Sequence, residues 1–281
     1  MTEGSQPMLD RLSLNQITTQ GWSLREAVDG CTRAGIAAIG LWRDKIAEVG
    51  LDAAATLVRN AGVGVSSVCR GGFFVAADPD ERAWRRADNR RAVDETALLN
   101  ADTLVLVCGG QGDLPLAAAR DMVSDGIADL ARYAAAHGVR LAIEPMHPMY
   151  CADRSVIVTL GQALDVAEAF PLEQVGVIID TFHVWWDPQV KAQIARAGGR
   201  IAGFQVCDWL VPLPDVLLGR GLMGDGPIDF PDLLHAVDTA GYDGPIEVEI
   251  FNRDIWDRPG DEVIATVKER FARYVLGWRR P

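Results

Sequence analysis

Apolar and polar positions alternate along this chain in blocks of two kinds. Short runs rich in Val, Ile and Leu read as buried strands: Leu12–Ile17, Ile36–Trp42, Val63–Cys69, Thr103–Cys108, Val139–Glu144, Val175–Asp180, Ile201–Gln205 and Pro245–Glu249. Between them lie longer stretches with the spacing of amphipathic helices. These are Ser23–Ala34, Asp78–Asn100, Leu116–His137, Ser155–Ala169, Pro188–Ala197, Asp229–Ala240 and Asp261–Leu276. Ser23 followed by Glu26 is a capping box, and Gly138 is a helix-ending signal.

Repeated strand–helix units imply a parallel sheet. About eight such pairs, with no linker or compositional break, predict an α/β fold of one domain over residues 1–281, a (β/α)8 barrel. A doubly wound open sheet is the alternative. Its Gly-rich first turn is missing, because the first strand runs into Thr18-Thr19-Gln20-Gly21-Trp22.

Four polar residues interrupt the apolar runs at or near their carboxyl ends: Glu144, Asp180, Gln205 and Glu249. A buried charge without a partner is costly, so such residues need a reason. Pairing with Arg140 or another buried arginine is the structural reason. Convergence at the barrel mouth, where catalytic groups of such barrels lie, is the functional one. Three carboxylates and an amide at that place would form a metal site. Parity puts Gln205 on one face with Gly203 and Cys207, and Glu249 on one face with Glu247. Glu247 lies deeper, where a structural ion pair is expected.

The charge balance narrows the partners. The 27 basic and 39 acidic residues give a formal net charge of −12, which disfavours nucleic acid and anionic membranes but welcomes a cation. Five cysteines, with no C-x-x-C spacing, argue against a disulfide framework and for a reducing cytoplasm. The start, Met-Thr-Glu-Gly-Ser-Gln-Pro, shows no secretory pattern, and no apolar run reaches membrane-spanning length. None of the three lysines, Lys45, Lys191 and Lys268, falls on the sixth strand, where Schiff-base barrels carry theirs.

The runs I-E-P (143–145), D-T-F-H (180–183), G-R-G-L-M-G-D-G-P-I-D (219–229) and G-Y-D-G-P-I-E-V-E-I-F (241–251), with Asp88-Asn89-Arg90-Arg91, carry a resemblance. The chain resembles the xylose isomerase-like TIM barrels, the sugar isomerase/epimerase superfamily, over nearly its whole length. The resemblance implies one divalent metal held by Glu144, Asp180, Gln205 and Glu249, with the two glutamates also acting as acid and base. It makes His183 a substrate contact and, more loosely, Arg220. It also implies assembly, since relatives often form dimers or tetramers, and it leaves open a second subunit at the site.

Gln205 departs from the family's usual histidine. An all-oxygen ligand set favours manganese, with magnesium next, over zinc. The expected activity is a metal-dependent keto-sugar isomerase or epimerase acting through an enediolate. The alternative is a lyase, a dehydratase or an enzyme cleaving 3-keto glycosides, in which His147 assists β-elimination. A sugar-binding barrel without catalysis is a further alternative, and an apurinic-site endonuclease is disfavoured by charge and by only four histidines. Trp22, Trp42, Trp185, Trp186, Trp209 and Trp256 follow strands and could stack on a small carbohydrate at the mouth, Trp185 and Trp209 foremost. Arg70 follows the third strand and could line the same mouth.

Overall fold

The computed structural model describes residues 9–277. The expected start of the chain, residues 1–8, and the last four residues of the expected 1–281 domain lie outside them. Eight parallel strands close into a barrel: β1 (Leu12–Asn15), β2 (Ala38–Trp42), β3 (Gly64–Gly72), β4 (Thr103–Val107), β5 (Arg140–Ile143), β6 (Val175–Asp180), β7 (Ile201–Val206) and β8 (Ile246–Val248). Each strand pairs with its sequence neighbours, and β1 closes the ring against β8. Every expected strand is present, with boundaries shifted by a few residues.

The outer helices form where the apolar stripe predicts. The helix α1 (Leu24–Ala34) starts at the Ser23–Glu26 capping box and ends at Gly35 in the left-handed region. Its face of Leu24, Ala27, Val28 and Cys31 is buried. Burying one such leucine contributes roughly 1.5–3 kcal/mol.

Two helices between β2 and β3 were not expected: α2 (Arg43–Val49) and α3 (Leu51–Ala61), joined at Gly50 with φ 85°. The second buries only Ala54, Ala55 and Val58, so its apolar stripe is faint in the sequence. The helix expected from Ser155 begins at Leu160, capped by Thr159. Residues 155–156 are instead held against Gly109, whose carbonyl accepts from the Val156 amide at 2.9 Å.

The barrel interior has two unlike halves. Cys69, Val105, Ala142 and Ile178 form an apolar patch on β3 to β6. Ser13, Asn15, Ser67, Gln205 and Glu247 are buried polar residues on β1, β3, β7 and β8. Register sets the polar side by side, because Asp180 pairs with Gln205 and Gln205 with Glu247.

Candidate active site

Strand geometry brings the four predicted polar residues to the carboxyl end of the barrel. Glu144 follows β5, and its amide donates to the Leu106 carbonyl at 3.1 Å. Asp180 closes β6 and caps the next turn by accepting from the Phe182 amide at 2.9 Å. Gln205 stands in β7, and Glu249 follows β8 with its amide donating to the Val206 carbonyl at 3.3 Å. All four are buried.

Arg220 is the cation among them. It stands on a short antiparallel ribbon in which Asp208–Trp209 pairs with Arg220–Gly221. Asp208 fixes the following loop by accepting from the amides of Gly224, Gly226 and Ile228. Arg220 Nη1 lies 2.8 Å from Asp180 Oδ2 and 2.9 Å from Glu249 Oε2. The guanidinium is sandwiched between the rings of Phe182 and Phe251, at 4.7 and 4.9 Å from their centroids. Arg140, a possible partner in the sequence, is at the opposite end of the barrel, where it donates to the Gly199 carbonyl.

The carboxylates outnumber this cation. Burial raises Glu144 well above its ordinary value, and Glu249 and Asp180 add to the rise. Burial also raises Glu249, to about 8, against the pull of Arg220. Asp180 is raised by burial in the same way. Burial opposes the charge on Arg220, but Asp180 and Glu249 outweigh it and hold the guanidinium protonated. No side-chain hydrogen bond reaches the Glu144 carboxylate among the described residues, and its nearest base is His183 Nε2 at 3.8 Å.

His183 is buried on the turn after β6. Its Nδ1 accepts from the His147 amide at 3.1 Å, and its Nε2 is turned to the charged groups. That Nε2 faces Asp180 Oδ2 at 3.5 Å and Arg220 Nη2 at 3.2 Å. His147 is half-buried between Trp186 and Trp209, with ring centroids 5.4 and 5.0 Å away. Its Nδ1 accepts from the Met149 amide, and burial lowers its basicity.

The other predicted contacts fall around this centre. Trp209 stacks on Phe182 at 4.7 Å and Trp185 lies beside it at 5.7 Å. Trp42 donates to Asn15, Trp186 to the His183 carbonyl and Trp256 to the Ile250 carbonyl. Trp22 instead packs in the helical layer against Gly30 and Gly260. Arg70 lies over the Phe73 ring at 4.3 Å, with no carboxylate in ion-pair range among the described residues. Arg70 lies within β3 rather than after it, and the end of that strand is held by Asn89, which accepts from the Gly72 amide and donates to its carbonyl.

Glu247 departs from expectation. It has no ion pair among the described residues and accepts only from neutral donors: Asn15, Gln205, Ser66 and Ser67. Asn15 went unnoticed in the sequence although it ends an apolar run, the same signal that marked the other four. Glu144, Asp180 and His183 offer ligand atoms within 4.8 Å of one another, so this buried group could hold a metal ion.

A closed parallel barrel with buried carboxylates at its mouth defines a broad class of enzymes. A family model, the xylose isomerase-like TIM barrel, matches residues 28–273, and the chain belongs to that family. A crystal structure of protein SMc04130 from Sinorhizobium meliloti is 50% identical, with TM-score 0.92 over 95% of this chain and 99% of that one. The IOLI protein, solved with a bound zinc atom, has the same fold at TM-score 0.82 and 19% identity, over 96% of this chain and 100% of that one.

Among characterised relatives, an L-ribulose 3-epimerase from a Methylomonas strain is 26% identical over 83% of this chain and 80% of its own length. An inosose isomerase from Halalkalibacterium halodurans is 25% identical over 51% of this chain, and the match spans 50% of that enzyme. A 3-dehydroshikimate dehydratase from Pseudomonas aeruginosa is 30% identical over 61% of this chain, and the match spans 27% of that enzyme. The chain thus spans about half the length of the inosose isomerase and about a quarter of the length of the dehydratase. No helix among the described residues is long and apolar enough to cross a membrane.

Proposed function

We propose that this barrel is a divalent-metal-dependent isomerase or epimerase of a keto sugar or polyol ketone, with Glu144 and Glu249 as the proton-transfer pair. The observation that carries the reading is the Gln205 carbonyl. Among the described residues its Oε1 is buried without a hydrogen-bond partner, in register with Asp180, and the carboxylates at the strand ends outnumber Arg220. An orphaned buried acceptor costs about 1–3 kcal/mol. A hard cation satisfies it and the surplus carboxylate charge together.

Glu144, Asp180, Gln205 and Glu249 would hold that ion. Their all-oxygen set favours manganese, then magnesium. When bound, the ion supplies Lewis acidity, polarising the substrate carbonyl and acidifying the neighbouring C–H. Glu144 and Glu249 remove and return the proton. In the metal-free site burial raises the proton affinity of both glutamates. Arg220 and His183 bind substrate oxygens, while Arg70, Trp185 and Trp209 line the approach. Return of the proton to the opposite face gives an epimer, and return to the adjacent carbon gives an isomer.

The likeness to a dehydratase supports a second reading. With His147 protonating a leaving group, the same carbanion would expel it by β-elimination. The five cysteines, all free, support a cytoplasmic setting. Assembly into a homo-oligomer, or with a second subunit, stays part of the proposal through the family resemblance.

Calorimetric titration with Mn²⁺ tests the metal part. The proposal expects one ion per chain in the wild type, lost in Asp180→Asn and Glu249→Gln. No binding by the wild type would leave a sugar-binding barrel as the better reading.

A further inference from the structure

We infer that Glu247 is a positioning residue whose caged carboxylate fixes the amide orientation of Gln205 and Asn15, so that the Gln205 carbonyl is turned away from Glu247 and left free to accept. The inference deepens the reading above and rests on it for its functional meaning.

Glu247 is 3% exposed, deep in the polar half of the barrel. Its Oε1 accepts from Asn15 Nδ2 at 2.7 Å and from Gln205 Nε2 at 2.9 Å. Its Oε2 accepts from Ser66 Oγ at 2.5 Å and Ser67 Oγ at 2.9 Å. The barrel makes room for this group. A Cβ on Gly40 of β2 would stand 2.5 Å from Glu247 Oε2 and 2.6 Å from the carboxyl carbon. A side chain at Gly40 would force the Glu247 carboxylate to shift from this arrangement of four hydrogen bonds.

An amide has two ends of similar shape and opposite polarity, and a carboxylate only accepts. Facing Glu247, Gln205 must present its NH2, so its carbonyl points the other way. The flipped amide would set an oxygen against the Glu247 oxygen and a donor where a cation is to bind. An imidazole would not have this two-fold ambiguity of amide ends. A glutamine in its place needs a fixed acceptor behind it, and Glu247 is that acceptor.

Asn15 extends the same control to Glu249. Its Nδ2 is shared between Glu247 Oε1 and Glu249 Oε1, the latter at 3.1 Å. Its Oδ1 accepts from Trp42 Nε1 at 2.7 Å and the Ile17 amide at 3.1 Å, so its orientation is defined from both ends. Glu247 therefore sets Gln205 and, through Asn15, Glu249, two of the groups that the proposed function assigns to the ion.

The test compares the wild type, Glu247→Gln and the Ser66→Ala/Ser67→Ala pair. The first readout is the side-chain amide of Gln205 by ¹⁵N NMR in metal-free protein. The expected result is a proton pair protected from solvent exchange in the wild type and at least ten-fold less protected in Glu247→Gln. The second is Mn²⁺ affinity by calorimetry, expected to fall ~10–100-fold in Glu247→Gln, as for other groups that orient metal ligands. The serine pair, which leaves both amides untouched, should lose less on each readout and serves if Glu247→Gln fails to fold. Unprotected Gln205 protons in the wild type, or unchanged protection and affinity in folded variants, overturn the inference. Protected protons in a wild type that binds no Mn²⁺ keep the orientation and overturn the metal reading instead.

Discussion

Asp180 Oδ2 and Arg220 Nη1 are 2.8 Å apart, and the same nitrogen lies 2.9 Å from Glu249 Oε2. The guanidinium thus engages carboxylate oxygens that a divalent ion would also use. A like charge placed nearby weakens cation binding, since even at an effective dielectric constant of 20 two unit charges at 4 Å interact by ~4 kcal/mol. Arg220→Met should therefore bind Mn²⁺ at least ten-fold more tightly than the wild type while losing turnover. Calorimetry and a turnover assay on the same preparations check both halves. Weaker Mn²⁺ binding in Arg220→Met would mean that the arginine supports the ion rather than competing with it.

Replacing either proton-transfer glutamate should separate activity from stability. Glu144→Gln and Glu249→Gln are each expected to lower turnover by about 10²–10⁴-fold, the usual contribution of general acid–base groups. Metal-free stability should hold or rise, because each change removes a buried group whose charge the site does not balance. Melting temperatures in chelator check the second expectation. A large drop in Glu144→Gln would mark that residue as structural.

The raised proton affinity of Glu249 gives a pH dependence with a definite sign. Its ordinary value is 4.5 and its folded value about 8, so between these the folded state holds a proton that the unfolded chain has released. The stabilisation is complete below pH 4.5 and is lost as pH rises through about 8. Glu144, also raised, contributes in the same direction. The melting temperature of metal-free protein should fall across this window, and Glu249→Gln should flatten the fall. A melting temperature that rises with pH over the same range would contradict the assignment.

The barrel, and the strand-end placement of most candidate site residues, could be read from the chain because burial leaves a one-dimensional trace. Carboxylates at the ends of Val175–Asp180 and Pro245–Glu249 stand out against their apolar neighbours, and strand parity gives their direction. The grouping of partners around Glu247 left no such trace. These partners come from β1, β3 and β7, and only closure of the barrel brings Asn15, Ser66, Ser67 and Gln205 to one point. Arg220 was placed near the site only by resemblance, since a loop arginine has no periodicity to fix its direction. The helices at 43–61 were not read from the chain; the first buries only Ile46, and the second only Ala54, Ala55 and Val58.

His147 distinguishes the two reaction outcomes. Its ring lies at the aromatic wall formed by Trp186 and Trp209, and its amide donates to His183 Nδ1. His147→Ala should reduce release of a leaving group at least ten-fold more than it reduces hydrogen exchange, if elimination is the natural reaction. Equal loss of both would assign His147 to packing against those rings.

The central claim is proton transfer by Glu144 and Glu249 next to a metal-bound keto group. Incubation of Mn²⁺-loaded protein with keto sugars and keto-inositols in D2O, followed by NMR of the recovered substrate, tests it most directly. The account predicts deuterium at the carbon next to the carbonyl for at least one of them, lost in Glu144→Gln and Glu249→Gln. Wild-type exchange that survives both substitutions would contradict it, as would an absence of exchange with every keto substrate while the ion is bound.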